Sequence, residues 1–252
     1  MSLSSAQPKT LPLLENGDCA LRTAKGNRLT QAEFERRYAA DPKIRKAKLI
    51  EGIVHVASPL RFTPHAQPHG YLTTWLGFYS AFTPHLSIGI EPTVRLDSEN
   101  EVQPDIVLRL DEVAGGRSRV TTDGYLAGPP ELVVEIAASA VTIDRGQKQQ
   151  LYKRHGVREY WLWQPVEQRL EDFTWAGGAD QPLCPDTQTP DTPKMVQSRV
   201  FPGLWLDVAA LAQNQMPQVV AALQQGMATP EYLAFCSTLP SAAERSDGVD
   251  GT

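Results

Sequence analysis

The sequence predicts an α/β or α+β fold in which a mixed sheet is flanked by helices and preceded by an N-terminal hairpin. The chain has 252 residues, which is long enough for one sizeable core and short for two. Hairpin-like strands come first, and strands that alternate with helical segments follow them, a pattern typical of a mixed sheet. The segment 131–137 (ELVVEIA) is almost continuously apolar, as in a strand that is buried on both faces.

The N-terminal elements precede the main sheet. Residues 1–28 are polar and punctuated by Gly and Pro, and they predict a flexible arm. Thr30, followed by Glu33, forms a capping box that predicts a short helix. Residues 47–57 have the pattern of two short strands joined at Glu51-Gly52, where Gly can supply the turn.

The middle of the chain predicts one long helix and three strands. Residues 58–68 contain three prolines and predict a loop. Apolar residues at helical spacing predict a helix that begins at His69 and is closed by Pro84. The predicted strands are 86–96, 102–110 and 131–137.

The C-terminal part continues the alternation of helices and strands. It predicts a helix at 142–155 that Gly156 stops, two aromatic-rich strands at 159–163 and 169–175, and an insertion at 176–195. A strand and turn at 198–207 and helices near 207–225 and 230–236 follow. The predicted boundaries are an arm at 1–28, a main domain at 29–210, C-terminal helices that pack on it at 211–239 and a disordered tail at 240–252.

Composition and net charge limit the cellular locations and the binding partners that we expect for the protein. The net charge of −5 counts against broad electrostatic adhesion to nucleic acid, although a local basic stripe can still face a phosphate backbone. No apolar run reaches the roughly 20 residues of a membrane span, and the N-terminus lacks the order of a secretory signal. Three dispersed cysteines predict free thiols in a reducing compartment. We therefore expect a cytoplasmic protein that does not bind membranes.

Two carboxylates stand out from this background. Glu135 lies inside an apolar strand, where a carboxylate is costly to bury unless it is paired or coordinates a cation. Asp105 follows Pro104 near the start of another strand. Carboxylates on neighbouring strands, with the backbone carbonyl of Ile136, can hold one Mg²⁺, which prefers oxygen ligands and keeps several waters. The alternative for Asp105 is that it only closes a turn.

The helix that follows Glu135 supplies a cation. Asp144, Lys148 and Tyr152 are spaced i, i+4, i+8 and therefore share one helix face. From that face Lys148 could reach Glu135 and orient an attacking water or offset charge on a phosphate. The alternative is that Lys148 pairs with Asp144 on a solvated face.

Five segments in this order resemble a known family. The segments are EVQPDIVLRL, GPPELVVEIAAS, the helix with Asp144, Lys148 and Tyr152, GVREYWLW and FPGLWLD. Together they resemble the Uma-two family (Uma2), a bacterial group of putative restriction endonucleases similar to the PD-(D/E)XK nuclease superfamily. The resemblance covers about residues 30–210, and it implies that the main domain at 29–210 has a restriction-endonuclease-like core with a divalent metal, usually Mg²⁺, with Mn²⁺ as a substitute.

The resemblance also implies roles for particular residues. Pro104-Asp105 matches the PD element and Glu135 the second acid. The parent pattern has Lys two residues after that acid, where this chain has Ala137, and Lys148 fits the family's Lys on the next helix. The family's Ser-Pro-Ser-Thr after the second acid is replaced here by residues 138–141 (ASAV).

Two further residues enter through the resemblance alone. It implies a role beside the metal for Glu51, whose alternative is a solvated turn residue. It also implies a catalytic-site His at the start of the long helix, which we assign to His69 from the spacing of the leucines that follow. His65 is a second candidate for that His, and His69 alone could be an ordinary residue of a helix N-terminus.

These expectations converge on a Mg²⁺-dependent endonuclease that acts on DNA, with Asp105, Glu135, Lys148, Glu51 and His69 in its site. Two alternatives stay open. One is a non-catalytic interaction protein on a nuclease scaffold, which the acidic net charge favours. The other is a metal-dependent hydrolase of small phosphate esters. The aromatic end strands and the family resemblance are compatible with a homodimer.

Overall fold

A computed structural model describes residues 28–40, 44, 46–56, 60–137, 144–175, 186–188 and 195–240. Side chains at 144, 145 and 186–188 lie outside that description. So do nearly all of the predicted arm and tail, residues 138–141, and most of the predicted insertion. The predicted domain boundaries at those places remain predictions.

The described residues form six α-helices and fourteen strands. The helices are α1 (Gln31–Ala39), α2 (Gln67–Phe82), α3 (Gln149–His155), α4 (Val208–Ala212), α5 (Met216–Met227) and α6 (Pro230–Thr238). Short π-helical turns, Phe62–Ala66 and Asp144–Lys148, precede α2 and α3, and a 3-10 turn covers Glu112–Ala114. The strands are β1 (Ala47–Ile50), β2 (Ile53–Val56), β3 (Leu86–Ile90), β4 (Val94–Asp97), β5 (Asn100–Val102), β6 (Ile106–Leu110), β7 (Arg119–Val120), β8 (Leu126–Ala127), β9 (Leu132–Ile136), β10 (Glu159–Gln164), β11 (Arg169–Thr174), β12 (Asp186–Gln188), β13 (Met195–Gln197) and β14 (Trp205–Asp207).

The strands form two larger sheets and one small hairpin. The main sheet has the order β12-β11-β10-β9-β6-β3, in which β9 and β10 are parallel and the other neighbours antiparallel. The second sheet has the order β2-β1-β5-β4-β8-β7, and β13 pairs with β14. The predicted mixed sheet with flanking helices and an N-terminal hairpin is therefore confirmed.

The predicted strands 86–96 and 102–110 are each divided between the two sheets. In the main sheet β3 pairs with β6, while β4 pairs with β5 in the second sheet. Pro92 and Pro104 lie at the two crossing points, and a proline cannot donate a ladder hydrogen bond. The prediction of two continuous strands was wrong because both prolines were assigned to strand interiors. Asp105 directly follows one crossing point.

Alternation along β9 distributes its side chains between two cores. Leu132, Val134 and Ile136 pack into a core that also contains apolar residues of α2, α5 and α6. Val133 packs into a second core, on the opposite face, with residues of α3 and of the second sheet. Glu135 has the same parity as Val133, so it lies on the α3 face of the main sheet.

Helix boundaries differ from the predictions in two places. The helical region before β3 starts at Phe62, ahead of the predicted start at His69, because the π-helical turn leads directly into α2. The helix predicted at 207–225 is two helices, α4 and α5, since Asn214 between them has a positive φ of 58° and Pro217 opens α5. The predicted stop at Gly156 is confirmed by its φ of 86°.

Helices in the described part of the chain are all too short or too polar to cross a bilayer.

Candidate active site

Asp105 directly precedes β6, and Glu135 lies on the neighbouring strand β9 of the main sheet. The register of β6 with β9 pairs Ile106 with Val134, so Asp105 comes one residue before this pair and Glu135 one residue after it. The backbone N–H of Ile136 donates to Asp105 Oδ2 at 2.8 Å, which fixes the aspartate against β9. Both carboxylates are buried, with 4% and 2% of their surface exposed.

Glu135 is held by two side chains of the following helical segment. Lys148 Nζ lies 2.7 Å from Glu135 Oε2, and the Tyr152 hydroxyl donates to Glu135 Oε1 at 3.0 Å. Lys148 and Tyr152 therefore share the helix face that the i, i+4 spacing predicted. The side chain of Asp144 lies outside the described residues, so its predicted pairing with Lys148 stays a prediction.

The Asp105 carboxylate lies among positive and polar groups. His65 Nε2 and Lys46 Nζ each lie 3.5 Å from Asp105 Oδ1. Burial acts to raise the pKa of Asp105, but the nearby imidazole of His65 and the charges of Lys148 and Lys46 outweigh it and hold that pKa well below its ordinary value. The aspartate is therefore ionised at neutral pH.

His65 bridges the two strands that carry the acids. Its Nδ1–H donates to the carbonyl of Ile136 at 3.1 Å, while Nε2 faces Asp105. Burial opposes protonation of His65, but the Asp105 carboxylate and the Ile136 carbonyl outweigh it and raise the pKa of the imidazole. The Ile136 carbonyl, which was predicted to face a metal, thus has one hydrogen-bond donor already.

His69 and Glu51 have different surroundings. His69 Nε2 donates to the backbone carbonyl of Asp105 at 3.1 Å, one helical turn from His65, so it touches the main chain of the site. Glu51 lies at the β1–β2 turn with a positive φ of 49°. Its carboxylate lies 3.2 Å from Arg154 Nη1, and both side chains are about half exposed. The structure brings His69 to the site but shows Glu51 in a surface ion pair.

Two contacting residues, Lys46 and Glu91, were missed by the sequence analysis, and His65 was named only as a second candidate. His65 ranked behind His69 because the spacing of Leu72 and Leu76 favoured the later histidine. Lys46 and Glu91 carried no signal, since each precedes or follows a strand without a motif. Lys46 Nζ lies 3.0 Å from Glu91 Oε1, and the backbone N–H of Glu91 donates to the Asp105 carbonyl at 2.9 Å.

The chemistry of the donor set fits a hard divalent cation. Asp105 and Glu135 offer carboxylate oxygens, and the Ile136 carbonyl has a second lone pair beyond the one that His65 uses. Described residues include no group of three or more His, Cys, Asp or Glu side chains arranged to hold a metal. A cation here would therefore complete its shell with water, as Mg²⁺ commonly does.

Comparisons with known proteins bear on the family and the fold of the chain. No curated protein matches the chain. A crystal structure of a putative nuclease of the DUF820 family from Anabaena variabilis is similar, with a TM-score of 0.52 and 16% sequence identity over 71% of this chain and 96% of that one. At that identity the likeness shows the fold alone. The model of the family described as "Uma2: Putative restriction endonuclease" matches residues 31–209, most of the chain. The chain therefore belongs to the Uma2 family of putative restriction endonucleases.

Proposed function

We propose that this protein is a Mg²⁺-dependent endonuclease that hydrolyses phosphodiester bonds in DNA. The observation that carries the proposal is the buried arrangement in which the backbone N–H of Ile136 donates to Asp105 while Lys148 contacts the adjacent Glu135. Membership of a family of putative restriction endonucleases supports the reaction class. A buried carboxylate pair with a buried ammonium group is costly to desolvate, and such groups cluster at functional sites.

Asp105, Glu135 and the Ile136 carbonyl would hold the cation. The low pKa of Asp105 keeps its carboxylate ionised, and the N–H of Ile136 fixes the orientation of that carboxylate before any ligand binds. Tyr152 does the same for Glu135. When bound, Mg²⁺ would lower the pKa of a water molecule and polarise a phosphate oxygen.

Lys148 would act on the phosphate or on the attacking water. Its ammonium is placed by Glu135 in a region that excludes bulk solvent, where charge interactions are strong. From there it can orient the water or offset the negative charge that develops on the phosphate. His65 would position Asp105 through its Nε2 and the Ile136 carbonyl through its Nδ1.

A second candidate function is a non-catalytic interaction protein on the same scaffold. The specific observation that favours it is that the negative charges of the site already have positive partners. Lys148 faces Glu135, and Lys46 faces both Glu91 and Asp105. Such a site can be stable with no cation. Titration calorimetry with Mg²⁺ separates the two, because heat that is lost in Glu135→Gln supports the enzyme and an absence of heat in the unsubstituted protein supports the scaffold.

The test of the proposed function is cleavage of plasmid DNA by the purified protein with Mg²⁺ or with a chelator. We expect nicking or linearisation only with Mg²⁺, and its loss in Asp105→Asn and Glu135→Gln. Glu112→Gln, an exposed carboxylate in the 3-10 turn, is the matched control and should cleave normally. Cleavage that survives both site substitutions would refute the assignment. Hydrolysis of small phosphate esters without cleavage of DNA would instead favour an esterase.

A further inference from the structure

Two lysines at the start of the β1–β2 hairpin, Lys46 and Lys48, face the main sheet. Alternate residues of a strand point to opposite faces. Ala47 and Leu49 are buried against α1, whereas Ile50 packs into the core beneath the α3 face of the main sheet. Lys46 and Lys48 have the parity of Ile50, so both lie on the face of β1 that is directed toward the acids.

Lys46, the first of these two lysines, contacts two carboxylates. Its ammonium lies 3.0 Å from Glu91 Oε1 and 3.5 Å from Asp105 Oδ1, with 23% of the side chain exposed. An ammonium group has three N–H donors, and two carboxylates account for two of them. The third has no partner within the described parts of the chain, and the partial exposure leaves it accessible to an incoming anion.

Lys48 is the second of these two lysines. It pairs across the hairpin with His55 on β2. Burial, together with the positive charges of Lys48 and Lys148, lowers the pKa of His55. The positive charges of Lys48 and Lys148 therefore both act on the imidazole of His55.

We infer that Lys46 and Lys48 form a contact surface for the phosphate backbone of a DNA duplex that lies along the β1–β2 hairpin. The inference rests on the proposed function, and it names the part of the chain that would hold the substrate. The net charge is −5, so an anionic duplex needs local cations to approach the buried acids. Lysines act as point charges on phosphates and position the duplex without reading its sequence.

Substitution of Glu91 should change DNA affinity in the opposite direction from substitution of either lysine. Its carboxylate is partly exposed and competes with phosphate for the ammonium of Lys46. An exposed ion pair of this kind is weak, so phosphate can replace it. Glu91→Gln removes the competing charge while it keeps the shape of the side chain, and it should tighten DNA binding.

The experiment is fluorescence anisotropy of a labelled DNA duplex in Ca²⁺, over about 50 to 200 mM salt. We expect Lys46→Ala and Lys48→Ala each to weaken binding severalfold and to reduce the slope of log affinity against log salt by about 0.9, the value for one lost phosphate contact. Glu91→Gln should bind more tightly. Arg36→Ala removes an exposed cation from α1 and should bind like the unsubstituted protein.

The outcomes separate this inference from the proposed function. Slopes for the two lysine variants that equal the slope for Arg36→Ala would overturn the inference, as would an unsubstituted protein that does not bind the duplex. If the two lysine variants keep the salt slope of the unsubstituted protein, and the unsubstituted protein cleaves plasmid DNA with Mg²⁺, the proposed function stands and the inference fails. If binding follows the predicted slopes but no cleavage occurs with Mg²⁺, the inference stands and the nuclease assignment fails.

Discussion

Lys148 Nζ lies 2.7 Å from Glu135 Oε2, and almost none of either side chain is exposed to solvent. Removing two such charges from water costs several kcal/mol per ion, and attraction between them offsets the cost only when their hydrogen bonds are also satisfied. The hydroxyl of Tyr152 supplies one of those bonds. Because a buried ion pair is a poor source of net stability, we expect this pair to serve the proposed reaction.

The ion pair predicts strong coupling between its partners. Glu135→Gln and Lys148→Met should each lower the free energy of unfolding by about 3 kcal/mol, because each leaves one buried charge without its partner. The double substitution removes both charges and should cost clearly less than the sum. Urea unfolding of the four proteins measures the coupling. Costs that add to within about 0.5 kcal/mol would show that the two side chains do not interact.

Tyr152 should matter less than the two charged residues. Tyr152→Phe removes one hydrogen bond to Glu135 and keeps the ring in its core. We expect a loss of about 1 kcal/mol in stability and a severalfold fall in the rate of plasmid cleavage. Tyr125→Phe, which removes a hydroxyl from a partly exposed ring, is the matched control. Equal effects of the two substitutions would argue against a role for the Tyr152 hydroxyl.

The two histidines before and within α2 should differ in their effect on catalysis. His65 contacts the Asp105 side chain and the Ile136 carbonyl, whereas His69 reaches only a backbone carbonyl. Loss of a residue that orients metal ligands commonly costs about 10- to 100-fold in activity or metal affinity. We expect a loss of that size for His65→Ala and a smaller one for His69→Ala, in steady-state cleavage of a defined duplex. The reverse order would restore His69 as the site histidine.

Glu101 predicts a pH dependence of stability away from the site. Burial, together with the neighbouring Glu35 carboxylate, raises the pKa of Glu101 to about 7. The pKa of Glu101 in the folded protein is higher than its pKa in the unfolded chain. The contribution of this group to stability is therefore fully present below about pH 4.5 and is lost as the pH rises through about 7. Thermal unfolding of the protein should therefore show a falling Tm between about pH 5 and pH 8.

Substitution of Glu101 checks the cause of that trend. Glu101→Gln is neutral at every pH and can still approach Gln31, so it should raise the Tm by about 2–4 °C at pH 8 and have little effect at pH 5. Glu99→Gln, an exposed carboxylate on the adjoining turn, should show no such difference between the two pH values. A constant gap between Glu101→Gln and the unsubstituted protein across the range would contradict the assignment to this carboxyl group.

The strand that holds Glu135 was predictable because its signal is local. An apolar run of this length is typical of a buried strand, and a carboxylate within such a run is conspicuous because its burial is costly. Lys148 followed from helical spacing, which is also local. The same reasoning placed the long helix and the aromatic strands β10 and β11 close to their observed positions.

The missed features depend on contacts between distant segments. The transfer of the hairpin from one sheet to the other at Pro92 and Pro104 depends on which strands lie beside it. His65 gains its place from the carbonyl of Ile136, and Lys46 gains its place from Asp105, each more than fifty residues away. Sequence periodicity carries no information about contacts between distant segments, so the choice between His65 and His69 required the folded chain.

Anomalous scattering from crystals of the protein soaked in Mn²⁺ tests the proposed metal site directly. We expect one strong peak within about 2.3 Å of carboxylate oxygens of both Asp105 and Glu135, and no peak there in crystals of Asp105→Asn. A protein that shows no peak beside these two carboxylates, or that keeps the peak after the substitution, would contradict the proposed metal site.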